Sequence, residues 1–526
     1  MNKPDLSFLW SRLVRVPEIT ALPPERRPEA LLDHLRKRSS PRFFLLMPAP
    51  EMSPDLCARW MERILRLFEL VAASGIRYQD HNFAAMQMEG LYMTARLFPE
   101  VEGVETWRRF IRGTLQATIL RAFREDGGQW EQSPAYHSGC LVWYGSVVLL
   151  GLRNDEHWSD LVLDRMEKAA DYLEACILPD GCLAPFGDSD RRPFWKDSLP
   201  LVAALLPEKR FPRKLPPSWT AVWLGLPSTS AGAQSGPRSA PGTVFPQSGY
   251  AIVRTGQGNG ASCLGFRNGP NDAGHAHADN LSFFWDAIGA PALVDSGRWM
   301  YDNSHRHHRG KGVWAHNSVF PDIESRRFLT PERIEEAVGK DRHLQRVFTH
   351  ENFRRAAILV ENCPDRLRLE SVFRGYVADA AAQAHRRIVV SLSEDRPWIL
   401  VIDRLYSPAP LRWIENWVIA AEAPPAESPD GLLTFNLPGE RRLQMRMACQ
   451  GAPLSRLERE TYWCSNYGEP TPARQVVCSA ETAADLRAFL FGVSPEEVVP
   501  PELALTIGPE DIVWKAGRES GKEGLF

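Results

Sequence analysis

The densest concentration of side chains able to do chemistry lies between residues 275 and 316. His275 and His277 flank one alanine, and Asp279 follows. Asp295 stands in Ala-Leu-Val-Asp-Ser-Gly, and His305, His307 and His308 stand in His-Arg-His-His-Arg-Gly. His316 stands in Trp-Ala-His-Asn-Ser-Val. Six of the 13 histidines fall in this window. Imidazole titrates near neutrality and, with a carboxylate, binds zinc. In a strand, residues two apart face the same side. His275 and His277 are therefore predicted to share one site, one facing a substrate and the other a metal. The basic run around His307 reads on its own as a solvated loop, whereas His275, His277, Asp295 and His316 read together as a functional set.

A second chemistry is carried by carboxylates. Asp180, and Asp188 with Asp190 in Gly-Asp-Ser-Asp-Arg-Arg, could supply the acid and base of an inverting glycoside hydrolase. That reading leaves the histidines unexplained, and turn or cap duty competes with it, most strongly at Asp180. No P-loop, dinucleotide fingerprint or Gly-x-Ser-x-Gly elbow is present. Gly256 to Gly260 is glycine-rich, but it lies amid strand pattern and reads as a turn.

The elements that must position these groups divide into two halves. Residues 1–215 read as helical, with apolar residues at helical spacing over Asp55–Ala73, Phe83–Leu97, Val104–Phe123, Ser138–Leu152 and His157–Ile177. Ser53-Pro54 caps the first of these. Short turns between long helices suit an α/α toroid, and ~215 residues predict an incomplete ring with an open cleft. Residues 216–247 are rich in Pro, Ser, Gly and Ala and form the linker candidate. Residues 248–526 change to period two, clearest over Arg366–Phe373, Ile388–Ser393, Trp398–Tyr406 and Leu411–Ala420. The fold class is therefore multidomain α + β, with an N-terminal incomplete α/α toroid and a C-terminal antiparallel β-sandwich.

Composition narrows the partners. The chain has 526 residues, 44% hydrophobic and 24% charged, with net charge −3. No basic block suggests nucleic acid, and no stretch approaches the ~20 apolar residues of a membrane helix. Nine cysteines without a Cys-x-x-Cys pair read as free thiols. Met1 to Thr20 lacks a signal-peptide pattern, so a cytoplasmic location is expected. Nothing indicates an oligomeric state.

The run from Gly274 through "HAHADNLSFFWDAIGAPALVDSGRWMY" to "AHNSV" resembles the signature of the heparinase II/III superfamily. The resemblance implies zinc ligands His277, Asp295 and His316, with the other window histidines competing for the third place, and a cleft histidine at His275. In the helical half, "DHNFAAMQMEGLYMTARLFPE" resembles the family's helix bearing an asparagine that faces a uronate, here Asn82. "EDGGQWEQSPAYHSG" resembles the segment carrying its tyrosine, here Tyr136, with Glu131 and His137 nearby. Read bottom-up, Asn82 alone would be a helix cap, and Tyr136, after Gly-Gly and Ser-Pro, sits at an accessible loop edge. His81, Gln87, Tyr301, Arg306 and Arg309 complete the expected substrate contacts. Several relatives have a histidine after the asparagine where this chain has Phe83, which moves the expected proton chemistry to Tyr136 and His275.

The resemblance implies a lyase that cleaves uronate-containing poly- or oligosaccharides by β-elimination, with a structural zinc. Asn82 would neutralise the uronate carboxylate. Tyr136, if acidified by cationic neighbours, or His275 would take the C5 proton, and Tyr136 would protonate the leaving oxygen. A catalytically silent glycan-binding protein is the alternative of another class.

Overall fold

The computed structural model describes residues 6–37, 52–74, 81–209, 211, 214–216, 241–256, 258–270, 275–301, 310–322, 358–363, 365–374, 376, 381–498, 500 and 502–525. Its contacts define two units. One comprises Met1–Trp130, His137–Asp171 and Phe194–Pro237; the other comprises Glu131–Tyr136, Tyr172–Pro193 and Arg238–Phe526.

Among the described residues nine α-helices precede residue 206. Ser53 Oγ accepts from Leu56 N (3.3 Å) and opens the helix Pro54–Ser74, as its Ser-Pro start predicts. The helices Asn82–Leu97 and Val104–Ala122 are tied through buried Glu156. It accepts from Tyr92 Oη (2.8 Å), pairs with Arg108 and lies 3.4 Å from Arg96. The helices Ser7–Arg12, Pro17–Thr20, Arg27–Lys37 and Trp195–Leu205 are also among the nine.

The helix Pro134–Arg153 corrects one sequence expectation. By length and composition it is apolar enough to cross a membrane, and 67% of its most apolar window is buried within the protein. Cys140, Leu141, Tyr144, Val147 and Val148 are among its buried residues. A core helix has no need of a polar face, and this burial matches that origin.

Among the described residues of the second unit, fifteen strands join in one antiparallel sheet and three more form a separate sheet. The core of the large sheet draws Val253, Leu264, Phe283, Trp285 and Leu293 from its first strands. Val401, Trp417 and Phe489 join them from its longest ones. The sequence predicted separate strands at Trp398–Tyr406 and Leu411–Ala420. They are one strand, Trp398–Ile419, with a register shift between Tyr406 and Leu411 where Pro408 and Pro410 interrupt the ladder. Of the stretch after about Ala420, assigned to the sandwich by pattern, the strands from Ala426 to Pro495 join the large sheet, and Leu503–Ile507, Asp511–Ala516 and Glu519–Gly524 form the small one. Ile512 and Trp514 seat it on Trp398 and Leu400.

Candidate active site and metal centre

Both components of the site lie within the second unit. Asp188 sits in a turn that only glycine permits: at Gly187 (φ +55) a Cβ would stand 2.6 Å from His275 O and 2.7 Å from Gln132 O. The turn is pinned there, because Asp188 N donates to His275 O (3.0 Å) and Ser133 Oγ donates to Asp188 O (2.8 Å). Asp188 is thereby carried against the histidine motif although it precedes His275 by 87 residues.

The Asp188 carboxylate gathers four side chains. Its Oδ2 lies 2.9 Å from His275 Nδ1, 2.9 Å from Lys311 Nζ and 3.2 Å from Tyr301 Oη. Its Oδ1 lies 2.9 Å from His277 Nε2. Tyr301 Oη is also 2.8 Å from Tyr136 Oη and 3.3 Å from His275 Nδ1. The Tyr136 and His275 rings stack at 3.6 Å with 16° between their planes. Fully buried Glu131 places Oε2 3.4 Å from His275 Nε2. Arg298 forks onto Asp190 at 3.1 and 2.5 Å.

Charge and burial set the proton states. Burial opposes ionisation of Asp188, yet Lys311 and the two imidazoles hold its carboxyl well below the usual range. Burial lowers the His275 pKa against the pull of Asp188, so the ring is neutral near pH 7 and able to accept a proton. Burial raises the Tyr136 phenol, outweighing Tyr301 and Arg298, which act the other way. The expectation that cations acidify Tyr136 is therefore not met; this phenol holds its proton and suits an acid. Tyr301 is raised as well, by burial and by Asp188.

Behind this constellation His277, Asp295 and His316 are buried, with ligand atoms all within 4.8 Å of one another. His277 Nδ1, Asp295 Oδ1 and His316 Nε2 are buried and have no hydrogen-bond partner among the described residues. Three unpaired polar atoms converging in a buried space fit a metal donor set, since leaving each unpaired costs about 1–3 kcal/mol. Their other atoms are fixed, His277 Nε2 by Asp188 and His316 Nδ1 by Asp295 Oδ2 (2.9 Å), as supporting hydrogen bonds fix ligands in metal sites. Asn317 ties the segment down: its Nδ2 donates to Phe283 O and Val294 O (2.8 and 3.0 Å), and its Oδ1 accepts from Val418 N (2.6 Å). Asn416 adds a bond to His316 O (2.8 Å). Gly297, at φ +68, lets the Asp295 segment meet Cys464, whose carbonyl a Cβ would overlap.

Several sequence expectations need correction. His275 and His277 lie in a loop before the strand Ser282–Ala287, not in a strand. They share a site because both reach Asp188, not through strand alternation. Asp279 pairs with Arg267 and stands outside the metal-type cluster. Asp188 and Asp190 are each committed to cations or imidazoles, and Asp180 makes the turn bond to Cys182 N (2.9 Å) together with Arg191, so the hydrolase pair is not formed. His137, expected at substrate, is buried with Nε2 2.8 Å from Ala169 O and its ring against Phe123. The cap expected at Asn82 is made by His81, whose Nδ1 accepts from Phe83 N (3.4 Å), and buried Asn82 is the first helical residue. Gln87 lies on that helix. Arg306 and Arg309, with His305, His307 and His308, lie outside the described residues. Sequence reasoning missed Lys311 and Arg298, and it noticed Asp188 only for the hydrolase reading.

A helical unit, an antiparallel sandwich unit, and a tyrosine–histidine centre beside a His-Asp-His cluster define the class of protein. The C-terminal model described as heparinase II/III-like matches residues 237–514, and the heparinase II/III N-terminus model matches residues 36–210. The chain belongs to the heparinase II/III family. It is 23% identical over 283 residues to a heparin-sulfate lyase of Bacteroides stercoris, and 22% identical over 269 residues to one of Pedobacter heparinus. Those matches cover 52% and 50% of this chain but only 40% and 38% of the relatives. A crystal structure of heparinase III superposes with TM-score 0.70 at 13% identity, covering 94% of this chain and 74% of that one. The heparan sulfate lyase structure from Pedobacter heparinus gives 0.67 at 16%, covering 95% and 74%. At these identities the superpositions establish the fold, a toroid with a sandwich.

Proposed function

We propose that the chain is a polysaccharide lyase that cleaves a uronate-containing glycosaminoglycan by β-elimination. The observation that carries the reading is the Tyr136–His275 stack: a neutral imidazole and a protonated phenol 3.6 Å apart, joined through Tyr301 to one ionised carboxylate. Elimination asks for such a pair. His275 takes the C5 proton, and the electrons flow to form the C4–C5 double bond as the C4–O bond breaks. Tyr136 gives its proton to the leaving oxygen. Asn82 keeps the role that the family resemblance implies, hydrogen bonding to the substrate carboxylate as charge develops there. Asp188 orients the imidazole by accepting from Nδ1, which leaves Nε2 as the nitrogen that takes the proton.

His277, Asp295 and His316 would hold zinc, which when bound supplies a structural cross-link at the base of the site. The relatives named heparin-sulfate lyases make heparan-type chains the first substrate class to test. The test is ultraviolet absorbance of the full chain with a panel of uronate polymers. A rising unsaturated-uronate chromophore supports the reading. New reducing ends without that chromophore replace it with hydrolysis, and no cleavage on any polymer replaces it with glycan binding.

A further inference from the structure

A pocket of about 280 Å³ in the second unit is not used by the chemistry above. Trp299, Trp314, Val418, Thr461, Tyr462 and Pro470 line it, together with the backbone at Gly310 and Ala315. Its position is set by the site. Trp299 follows Arg298, which holds Asp190; Gly310 precedes Lys311, which holds Asp188; Ala315 precedes His316. The hairpin of strands Ser455–Asn466 and Glu469–Pro495 supplies the wall with Thr461, Tyr462 and Pro470.

We propose that this pocket binds one uncharged pyranose ring of the glycan. The inference rests on the glycan reading above and deepens it. The first argument is surface type. Two indoles and a phenol offer flat apolar faces, and a pyranose presents a flat face of C–H groups to such rings. The second is polarity. Thr461 and Tyr462 carry hydroxyls, which a sugar's hydroxyls can meet and an alkyl ligand cannot. The third is charge. No acidic or basic side chain is among the described residues lining the pocket. The Arg459 guanidinium lies 5.4 Å from the centre of the Trp314 ring and donates to Gln475 Oε1 at 2.6 Å. A carboxylate or sulfate entering would meet no counter-charge among the described lining residues. The fourth is size. A volume of about 280 Å³ falls at the lower edge of ligand pockets, roughly 300–1,000 Å³, which suits one ring and not a chain.

The test uses saturation-transfer NMR on the full chain with methyl β-glucopyranoside and, separately, methyl β-glucopyranosiduronate. The neutral glycoside is expected to receive saturation at its ring protons. Tyr462→Ala, at a position 52% exposed and so of little weight in folding, is expected to weaken that binding about tenfold with an unchanged melting temperature. Trp299→Phe keeps a ring but offers a smaller flat face, and should weaken binding by a smaller factor. Equal binding of the uronate, or no binding of either glycoside, overturns the proposal. So does Tyr462→Ala binding like wild type. The polymer absorbance assay on the same preparation separates the two claims. Cleavage without neutral-sugar binding sinks the pocket alone, and neutral-sugar binding without cleavage of any polymer sinks the lyase reading alone.

Discussion

Two buried charge networks in the sandwich unit differ in how completely their atoms are matched. Arg386 and Asp403 sit with fully buried side chains in the core. Both carboxylate oxygens receive a guanidinium nitrogen at 2.7 Å, and the remaining nitrogen donates to Leu281 O and Asn317 O. Around Asp188 the carboxylate is equally well matched, but the network then opens outwards. It runs to a tyrosine that is 45% exposed and to a histidine that carries no net charge at neutral pH, and it ends in three unpaired atoms on His277, Asp295 and His316. A saturated pair can only hold the fold. An unsaturated one has positions left for a proton, a substrate or a metal.

Substitution should therefore move different observables in the two networks. The largest effect is expected at His275→Ala, with turnover falling about 10²–10⁴-fold, the range for losing a general base, while thermal melting stays near wild type. A fall in stability equal to the fall in turnover would make His275 a core histidine. In the saturated network, Asp403→Leu strands the Arg386 guanidinium and should cost about 3–5 kcal/mol in denaturant unfolding. A change under about 1 kcal/mol would show that Arg386 relaxes to water and that the contrast is overstated. His316→Ala should abolish bound zinc as measured by elemental analysis. In the wild type it is expected at one ion per chain, and its removal by chelator should lower the melting temperature. A wild-type protein that takes up no divalent metal would assign the three unpaired atoms another role.

The effect smallest near neutral pH is a pH dependence of stability in the helical unit. Burial depresses the His137 pKa from 6.5 to about 3. Above pH 6.5 the ring is neutral in both folded and unfolded chains and does not affect the balance. Below 6.5 the unfolded chain takes a proton that the folded one refuses, so stability falls by about 1.4 kcal/mol per pH unit down to about pH 3. His137→Gln can still donate to Ala169 O, and it should flatten that part of the unfolding free-energy curve. An identical slope in wild type and variant would place the His137 ring in water.

What was legible in the sequence follows from the same contrast. Histidines and aspartates two to twenty residues apart announce a site because few other roles need them, and the family motif adds Tyr136 to them. Asp188 is the centre of the network, yet its histidine partners are 87 and 89 residues away, and a turn aspartate looks the same whether or not two imidazoles rest on it. The resemblance places His137 at the substrate only through its neighbour Tyr136. One step along a helix turns a side chain by about 100°, and His137 shares its stripe with buried Cys140, Leu141 and Tyr144; that periodicity was present in the sequence and was the missed signal. The two halves of Trp398–Ile419 were separated by Pro408 and Pro410, which read as a break although the strand runs on through an irregular register. Ser7–Arg12 and Pro17–Thr20 are too brief for a period to emerge, whereas Arg27–Lys37 carries one at Pro28, Leu31, Leu32 and Leu35.

The central claim is elimination with Tyr136 as the acid, and the most direct measurement compares wild type with Tyr136→Phe on a heparan-type polymer. It follows the unsaturated-uronate absorbance and, in parallel, glycan binding and melting temperature. The expected result is a chromophore from the wild type, and its loss in a variant that still folds and still binds. A variant that generates the chromophore at the wild-type rate, or a wild type that releases reducing ends with no chromophore, would contradict the account.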